Sequence, residues 1–126
     1  MLTLSFKRYI GDPPDTLEYE LAEGGKPVGF IQVRQKPSKS SNVPVGFENH
    51  IYYEIYPDYR CLGYGNKILE LGLREVAKPR LKRVRLTCVS TNKASKKIIE
   101  NNGGVLIDKK RSIDNKDAVL LYEIRL

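Results

Sequence analysis

The chain has few of the residues that bind metals or form disulfide frameworks. Its 126 residues include two cysteines and one histidine. Cys61 and Cys88 fall in different predicted elements, and their spacing matches no metal-binding motif. No metal is therefore expected, and a reduced, cytoplasmic protein is the simplest interpretation of two unpaired cysteines.

Long hydrophobic runs are also missing. No stretch approaches the ~20 consecutive apolar residues that span a bilayer, and the N-terminus carries Lys7 and Arg8 without the apolar core of a signal peptide. Repeats and low-complexity tracts are absent as well. The hydrophobic fraction of 40% and the charged fraction of 29% are ordinary for a soluble globular domain. Residues 1–126 have room for one core, so a single domain without membrane contact is predicted.

The charge balance is basic, since 22 Lys and Arg residues against 15 Asp and Glu give a formal net charge of +7. Five basic residues surround one predicted connection: Lys78, Arg80, Lys82, Arg83 and Arg85. Such a cluster is able to contact nucleic acid. No recognised nucleic-acid motif accompanies it, however, and strand alternation would place Arg83 and Arg85 together on a solvent-facing side. Nucleic acid is therefore not the expected main partner.

A strand, a glycine-bearing turn and a helix follow one another in the middle of the chain. Residues 51–56 form a β-branched and aromatic run that predicts a strand closed by Pro57. Beyond the turn, small and apolar residues recur at the spacing of a buried helix face: Ile68, Leu69, Gly72, Leu73 and Val76. Such a turn leaves backbone N–H groups unpaired where the helix dipole is positive. This arrangement predicts a site for a phosphate or pyrophosphate.

The turn itself matches neither of two common nucleotide-binding loops. A dinucleotide fingerprint needs a third glycine where Ile68 stands, and a Walker loop needs a lysine where Asn66 follows Gly65. The spacing Arg60-x-x-Gly63-x-Gly65 instead resembles the acetyl-coenzyme A pyrophosphate loop of the GNAT N-acetyltransferase superfamily. An ordinary strand-to-helix turn is the alternative interpretation.

A second motif follows in the order that the superfamily has. Residues 82–88 alternate as a strand, and Ser90-Thr91-Asn92 supplies N-cap residues for a helix that Gly103 ends. Asn92, Ser95 and Gly103 stand where the superfamily has an asparagine, a small residue and a glycine. The resemblance covers roughly residues 28–107.

The remaining segments are predicted to be mostly strands. They comprise residues 2–10, 17–21, 28–33, 105–109 and 118–124, with a hairpin at Gly24-Gly25, a helix break at residues 78–80, a turn at residues 114–116 and a mobile loop at residues 36–49. The order is β-β-β-β-α-β-α-β-β. This order predicts an α/β (α+β) fold with a mixed, mostly antiparallel central sheet of about six or seven strands and at least two helices.

Compared with the superfamily, this chain is short between its first and second predicted strands. The superfamily usually carries one or two helices between the first and second strands, where they enclose the acyl acceptor. Residues 11–16 are too few and too rich in proline for a helix. An open acceptor cleft, a cleft completed by a partner subunit and a lost activity would each fit, and a homodimer is expected.

What the resemblance implies is an acetyl-CoA-dependent N-acetyltransferase that acts by direct transfer on a primary amine of a small molecule or peptide. The alternative is a CoA-binding sensor or subunit with little catalysis. The implied CoA-binding residues are Ile55, Tyr56, Arg60, Cys61, Leu62, Gly63, Tyr64, Gly65, Asn66, Asn92 and Ser95. Backbone N–H groups at Ile55 and Tyr56 would stabilise the reacting carbonyl oxygen.

The sequence is less specific about which residues would transfer protons during the reaction. Glu54, on the strand that leads to the loop, and His50, at the start of that strand, are the candidate bases. The superfamily's usual acid is a tyrosine at the position of Ile99, so the change Ile99→Tyr is expected to restore a proton donor. A nearby tyrosine could replace it; the candidates are Tyr52, Tyr53, Tyr56, Tyr59 and Tyr64.

Overall fold

Seven strands and two helices form the structure, a computed structural model that describes residues 1–11, 14–38, 44–77, 81–111 and 117–126. The elements in chain order are β1 Leu2–Ile10, β2 Thr16–Glu23, β3 Lys26–Ser38, β4 Asn49–Ile55, a short 3-10 helix Pro57–Tyr59, α1 Tyr64–Ala77, β5 Arg83–Val89, α2 Lys93–Asn101, β6 Val105–Arg111 and β7 Ala118–Arg125. The predicted element order and fold class are confirmed. In the described ranges, no helix is long and apolar enough to cross a bilayer.

The strands divide into two antiparallel sheets. The larger sheet has the order β1-β2-β3-β4 and the smaller has the order β5-β7-β6. β4 and β5 meet through side chains: the Asn49 amide donates to the Thr87 hydroxyl at 3.1 Å, and the Arg85 N–H donates to His50 Nδ1 at 3.0 Å. Farther along β4, Tyr53 contacts Ser95 on α2. The second half of β4 therefore faces a helix, and this is where a cleft opens.

One core cluster joins both helices to one face of each sheet, and α1 packs against the larger sheet. Ile68 and Leu69 of α1 are fully buried, as are Leu21 and Ile31 of the sheet. Gly72 allows this close approach, because a Cβ atom at that position would contact the Ile31 side chain. The helical spacing seen in the sequence is thus the spacing of the buried face. The side chain of Val76 lies outside the described residues.

The opposite face of the larger sheet, called the polar face below, carries charged pairs between β1 and β2. Glu18 and Glu20 on β2 point to this face, because they pair with Gln32 and Phe30 of β3 on the side away from Ile31. Arg8 forms an ion pair with Glu18 at 2.8 Å, and Lys7 forms one with Glu20 at 3.3 Å. Charged pairs on this face fit a sheet whose β1–β2 connection, residues 11–15, is too short to supply a covering helix.

The loop predicted over residues 36–49 is shorter than expected. β3 continues to Ser38 and β4 begins at Asn49. Phe47 between them is only 1% exposed, because it packs against Val119 and Leu121 of the smaller sheet. Residues 39–43 lie outside the described part of the chain. The predicted break at residues 78–80 and the turn at residues 114–116 lie outside it as well.

Candidate functional site

Two left-handed residues shape the turn before α1. Cys61 has φ 63° and Gly63 has φ 87°, and Cys61 is the sole non-glycine residue with positive φ in the described ranges. A Cβ atom at Gly63 would meet nothing within 4 Å. Glycine is therefore suited to this position by its backbone conformation rather than by crowding. The turn brings the chain from the 3-10 helix into α1.

The start of α1 presents backbone donors. The Lys67 N–H donates to the Gly63 carbonyl at 3.4 Å, which is the first bond of the helical ladder. The N–H groups of residues 64–66 precede it and have no acceptor in a preceding turn. The first turn of α1 carries no acidic residue. The free N–H donors and the positive end of the helix dipole thus lie at the same place, with no carboxylate in the first turn to repel an anion.

A cleft of about 680 Å³ opens at this helix start. Its walls come from β4, the turn and the first turns of α1 and α2; the lining residues are Tyr53, Glu54, Ile55, Tyr59, Arg60, Cys61, Gly63, Tyr64, Gly65, Asn66, Asn92, Ala94, Ser95, Lys97 and Ile98. The volume lies within the range of cofactor-sized sites, roughly 300–1,000 Å³. The fold thus joins the two motifs found in the sequence. Of the predicted CoA-binding residues, Tyr56 and Leu62 are not in the lining.

Ala94 and Ile98 are lining residues that the sequence reasoning missed. In the sequence, Gly65 was the residue that could have indicated a close neighbour. In the structure, a Cβ atom at Gly65 would lie 2.5 Å from Cδ1 of Ile98. A glycine on one helix can report a close second helix, but it does not say which residue approaches. Ala94 is a small residue in the first turn of α2, where its neighbours Asn92 and Ser95 carried the motif.

Asn92 and Ser95 are held by defined hydrogen bonds. The Asn92 side chain accepts from the Ser95 N–H at 3.1 Å, which confirms the predicted N-cap of α2. The Ser95 hydroxyl lies 3.1 Å from the Tyr53 hydroxyl. Burial raises the pKa of Tyr53, against a smaller lowering by the hydrogen bond to Ser95. The phenol therefore stays protonated near neutral pH.

Arg60 connects the turn to the end of β4. Its Nε donates to the Ile55 carbonyl oxygen at 3.0 Å, and its Nη2 lies 3.7 Å from Oε1 of Glu54. The Tyr52 hydroxyl donates to the other carboxylate oxygen of Glu54 at 3.4 Å. All three side chains are substantially exposed. The Glu54 carboxylate is thus already partnered on both oxygens.

The backbone at the end of β4 distinguishes Ile55 from Tyr56. The Tyr56 N–H donates to the Val28 carbonyl of β3 at 2.9 Å. Because neighbouring residues of a strand direct their N–H and C=O groups to opposite sides, those of Ile55 point away from β3. The contact of Arg60 with the Ile55 carbonyl agrees with this direction. Ile55 is therefore the residue whose backbone groups face the cleft.

His50 is 8% exposed and lies outside the cleft lining. Its Nδ1 accepts the Arg85 N–H, so the neutral imidazole carries its proton on Nε2. Burial lowers the pKa of His50, and the nearby Arg85 charge lowers it further. The geometry gives this side chain a role in joining β4 to β5. Its role as a base stays a prediction.

Ile99 faces the core instead of the cleft. It is 1% exposed, and a Cβ atom at Gly104 would contact its side chain. The expectation that Ile99→Tyr restores a proton donor is therefore revised. A tyrosine at this position would enter a filled core rather than the cleft.

The chain is similar to known acetyltransferases in sequence pattern and in fold. The family model described as acetyltransferase (GNAT) family matches residues 2–103. The ribosomal-protein-S18-alanine N-acetyltransferase from Escherichia coli superposes with a TM-score of 0.68 at 19% identity, covering 88% of this chain and 69% of that one. A GNAT-family acetyltransferase from Streptococcus pneumoniae gives a TM-score of 0.68 at 18% identity, with 89% and 67% covered.

A third solved structure contains coenzyme A. It is a ribosomal L7/L12 alpha-N-protein acetyltransferase, with a TM-score of 0.68 at 14% identity, covering 89% of this chain and 63% of that one. This chain thus spans about two thirds of the length of these three proteins. No curated protein shows significant sequence similarity to it.

Proposed function

The chain belongs to the acetyltransferase (GNAT) family, and from this membership we propose that it transfers the acetyl group of acetyl-CoA to a primary amine of a small molecule or peptide. The observation that carries the proposal is the position of the α1 N-terminus. Its backbone donors lie in a cleft that β4 and α2 also line, so an anion and an extended arm would be held side by side. Acetyl-CoA combines a pyrophosphate with an amide-rich pantetheine arm.

Different residues of the cleft would hold the pyrophosphate and the pantetheine arm of acetyl-CoA. Backbone N–H groups of residues 63–66 would hold the pyrophosphate, and Lys97 adds a positive charge to the same lining. The pantetheine amides would pair with the backbone of Ile55 as an added strand, between β4 and the capped start of α2. Asn92 and Ser95 would border this arm.

The transfer needs a proton to leave the amine and an oxygen to be stabilised. A primary amine has a pKa of about 10, so most of it is protonated at neutral pH. Glu54 lies in the lining beside Ile55 and would accept this proton. The amine nitrogen would then bond to the thioester carbon as the carbon–sulfur bond breaks, and it would lose its surplus proton to solvent in the open cleft. The Ile55 N–H would stabilise the carbonyl oxygen. Tyr53, whose phenol remains protonated, is the candidate proton donor to the leaving thiolate.

Two observations favour the second candidate, a CoA-binding sensor or subunit with little catalysis. Glu54 is partnered by Arg60 and by Tyr52. Ile99, at the position of the superfamily's usual acid, is buried in the core. Both observations concern catalysis, and neither weakens the anion site at α1.

Calorimetry and a thiol-release assay separate these candidates. Isothermal titration with CoA tests the cleft, and thiol release from acetyl-CoA over a panel of primary amines, with mass spectrometry of the product, tests transfer. Binding together with release supports the acetyltransferase. Binding without release from any amine of the panel supports the sensor, and a lack of CoA affinity contradicts both.

Assembly and location are further parts of the proposal. We infer a homodimer, because residues 11–15 leave the acceptor side of the cleft with little cover and association would bury more surface. A strictly monomeric mass by light scattering at high micromolar concentration would contradict it. We also propose a cytoplasmic location, where thiols stay reduced; both cysteines are free in the structure.

A further inference from the structure

Three aromatic rings surround Glu54 on the polar face of the larger sheet. Tyr52 and Tyr56 lie two residues before and after Glu54 in sequence, and Phe30 is its direct partner across β3 and β4. The ring centroids of Phe30 and Tyr52 are 5.9 Å apart, and those of Phe30 and Tyr56 are 6.3 Å apart. Tyr52 is 48% exposed. We call these three residues and Glu54 the aromatic-flanked carboxylate.

Glu54 is where this surface meets the cleft. It is a lining residue of the cleft, whereas the three aromatic residues are not. A group held at the Glu54 carboxylate from the polar face would therefore lie next to the β4 backbone that the acetyl donor is proposed to follow. The aromatic-flanked carboxylate thus has the position that an acceptor needs.

The chemistry of this surface selects a cation with an apolar stem. A carboxylate attracts an ammonium group, and the faces of tyrosine and phenylalanine rings attract it as well. The same rings offer apolar area to a stem that carries the ammonium. Glu18 and Glu20 lie on the same face of the sheet, but Arg8 and Lys7 already pair with them, so the preference for a cation rests on Glu54 and the rings. These features complement a single positive charge on a hydrophobic group.

We propose that the aromatic-flanked carboxylate binds the acceptor, and that the acceptor class is small protonated amines on an arylalkyl or alkyl stem. This inference rests on the proposed acetyltransferase function and names its substrate class. The ammonium would replace Arg60 as the partner of Glu54, since that ion pair is long, at 3.7 Å, and exposed. The ammonium proton would then pass to Glu54, which leaves a neutral amine facing the cleft.

Binding of a cation that cannot be acetylated tests the proposal without catalysis. The probe is phenethyltrimethylammonium, and the neutral comparison is 2-phenylethanol, both titrated by NMR into the full chain with and without saturating CoA. The wild-type protein is expected to bind the cation and to bind the alcohol at least fivefold more weakly. Equal affinity for the two compounds would overturn the proposal.

Ring removal provides the second test. Tyr52→Leu and Phe30→Leu are each expected to weaken cation binding about two- to fivefold, the range for an exposed cation–aromatic contact. Tyr9→Leu is the matched control, because Tyr9 is a 63% exposed tyrosine on edge strand β1, and it should leave cation binding unchanged. CoA affinity should be the same in all four proteins and reports that they are folded.

The outcomes distinguish this inference from the proposed function. If the wild-type chain binds CoA, and if Tyr52→Leu and Phe30→Leu bind the cation as tightly as the wild type does, the acceptor site is wrong and the CoA site stands. A chain that binds the cation at these rings but has no affinity for CoA overturns the proposed function instead.

Discussion

Arg60 in the turn before α1 and Glu54 on β4 form an ion pair of 3.7 Å, while the same guanidinium donates to the Ile55 carbonyl oxygen at 3.0 Å. One side chain thus connects the proposed pyrophosphate site to the proposed base and to the backbone that would hold the pantetheine arm. Acetyl-CoA and Glu54 compete for this guanidinium, because an arginine is attracted to phosphates as well as to carboxylates. Binding of the donor is therefore expected to release Glu54 for the amine.

Arg60→Gln is predicted to weaken CoA binding about 5- to 30-fold, since a charge-assisted contact to a phosphate is worth about 1–2 kcal/mol at an exposed site. Calorimetry at low and high salt measures this, and the variant should also lose part of the salt dependence of affinity. Arg74→Gln, on the exposed last turn of α1, is the control and should change neither quantity. Equal losses in both variants would indicate a general charge effect.

Gly63→Val is predicted to abolish CoA binding with the fold retained. The valine has to adopt φ 87°, and its side chain would enter the space beside the α1 donors. Gly46→Val is the matched control, since Gly46 has φ 89°, also has open space around it and does not line the cleft. The two variants should lose similar thermal stability, and Gly46→Val should keep wild-type CoA affinity. A Gly63→Val protein that still binds CoA normally would contradict the anion site.

Glu54→Gln is predicted to lower turnover about 10- to 100-fold, at or below the usual loss for a general base, because water can partly replace the base in an open cleft. The CoA affinity should change little, because the Arg60–Glu54 ion pair with which CoA competes is long and exposed. The wild-type rate should rise with pH as the amine deprotonates. Steady-state thiol release over a pH series gives both quantities. Unchanged turnover would transfer the role of base to His50, to a tyrosine or to water.

Acid is predicted to destabilise the fold through His50. Burial and Arg85 lower the pKa of His50 below its ordinary value of 6.5, so the folded protein binds this proton less readily than the unfolded chain. The stabilisation is complete above pH 6.5 and is lost as the pH falls from there through the lower folded-state pKa. Thermal unfolding between pH 7.5 and pH 5 should show this loss. His50→Gln, which does not titrate, should show a shallower decline, and parallel curves would contradict the assignment.

Local patterns were enough to predict most of the fold. The alternation in β5, the helical spacing in α1 and the capping residue Asn92 are patterns carried by a few neighbouring residues, and the structure confirms each of them. The two motifs predicted the turn and the start of α2. Their meeting in one cleft followed only from the resemblance, since no local pattern specifies it.

Contacts between distant residues account for what the sequence did not predict. Phe47 lies in a polar, proline-containing segment between β3 and β4, and its burial depends on Val119 and Leu121 of β7. The bond between Tyr53 and Ser95 joins residues 42 positions apart. The hydrogen bond from the Tyr56 N–H to the Val28 carbonyl depends on strand register, and alternation alone does not determine the register. Each of these is a tertiary relationship with no signature in the spacing of nearby residues.

The Ile98 side chain of α2 lies against Gly65 of α1, where the two helices that border the cleft come close together. A Cβ atom at Gly65 would lie 2.5 Å from Ile98 Cδ1, so the spacing depends on a single hydrogen atom as a side chain. A methyl group there would force Ile98 Cδ1, the free end of that side chain, to move. The close approach of the two helices is thus a property of the folded chain itself. An incoming donor meets a preorganised site and does not have to use binding free energy to draw its two sides together.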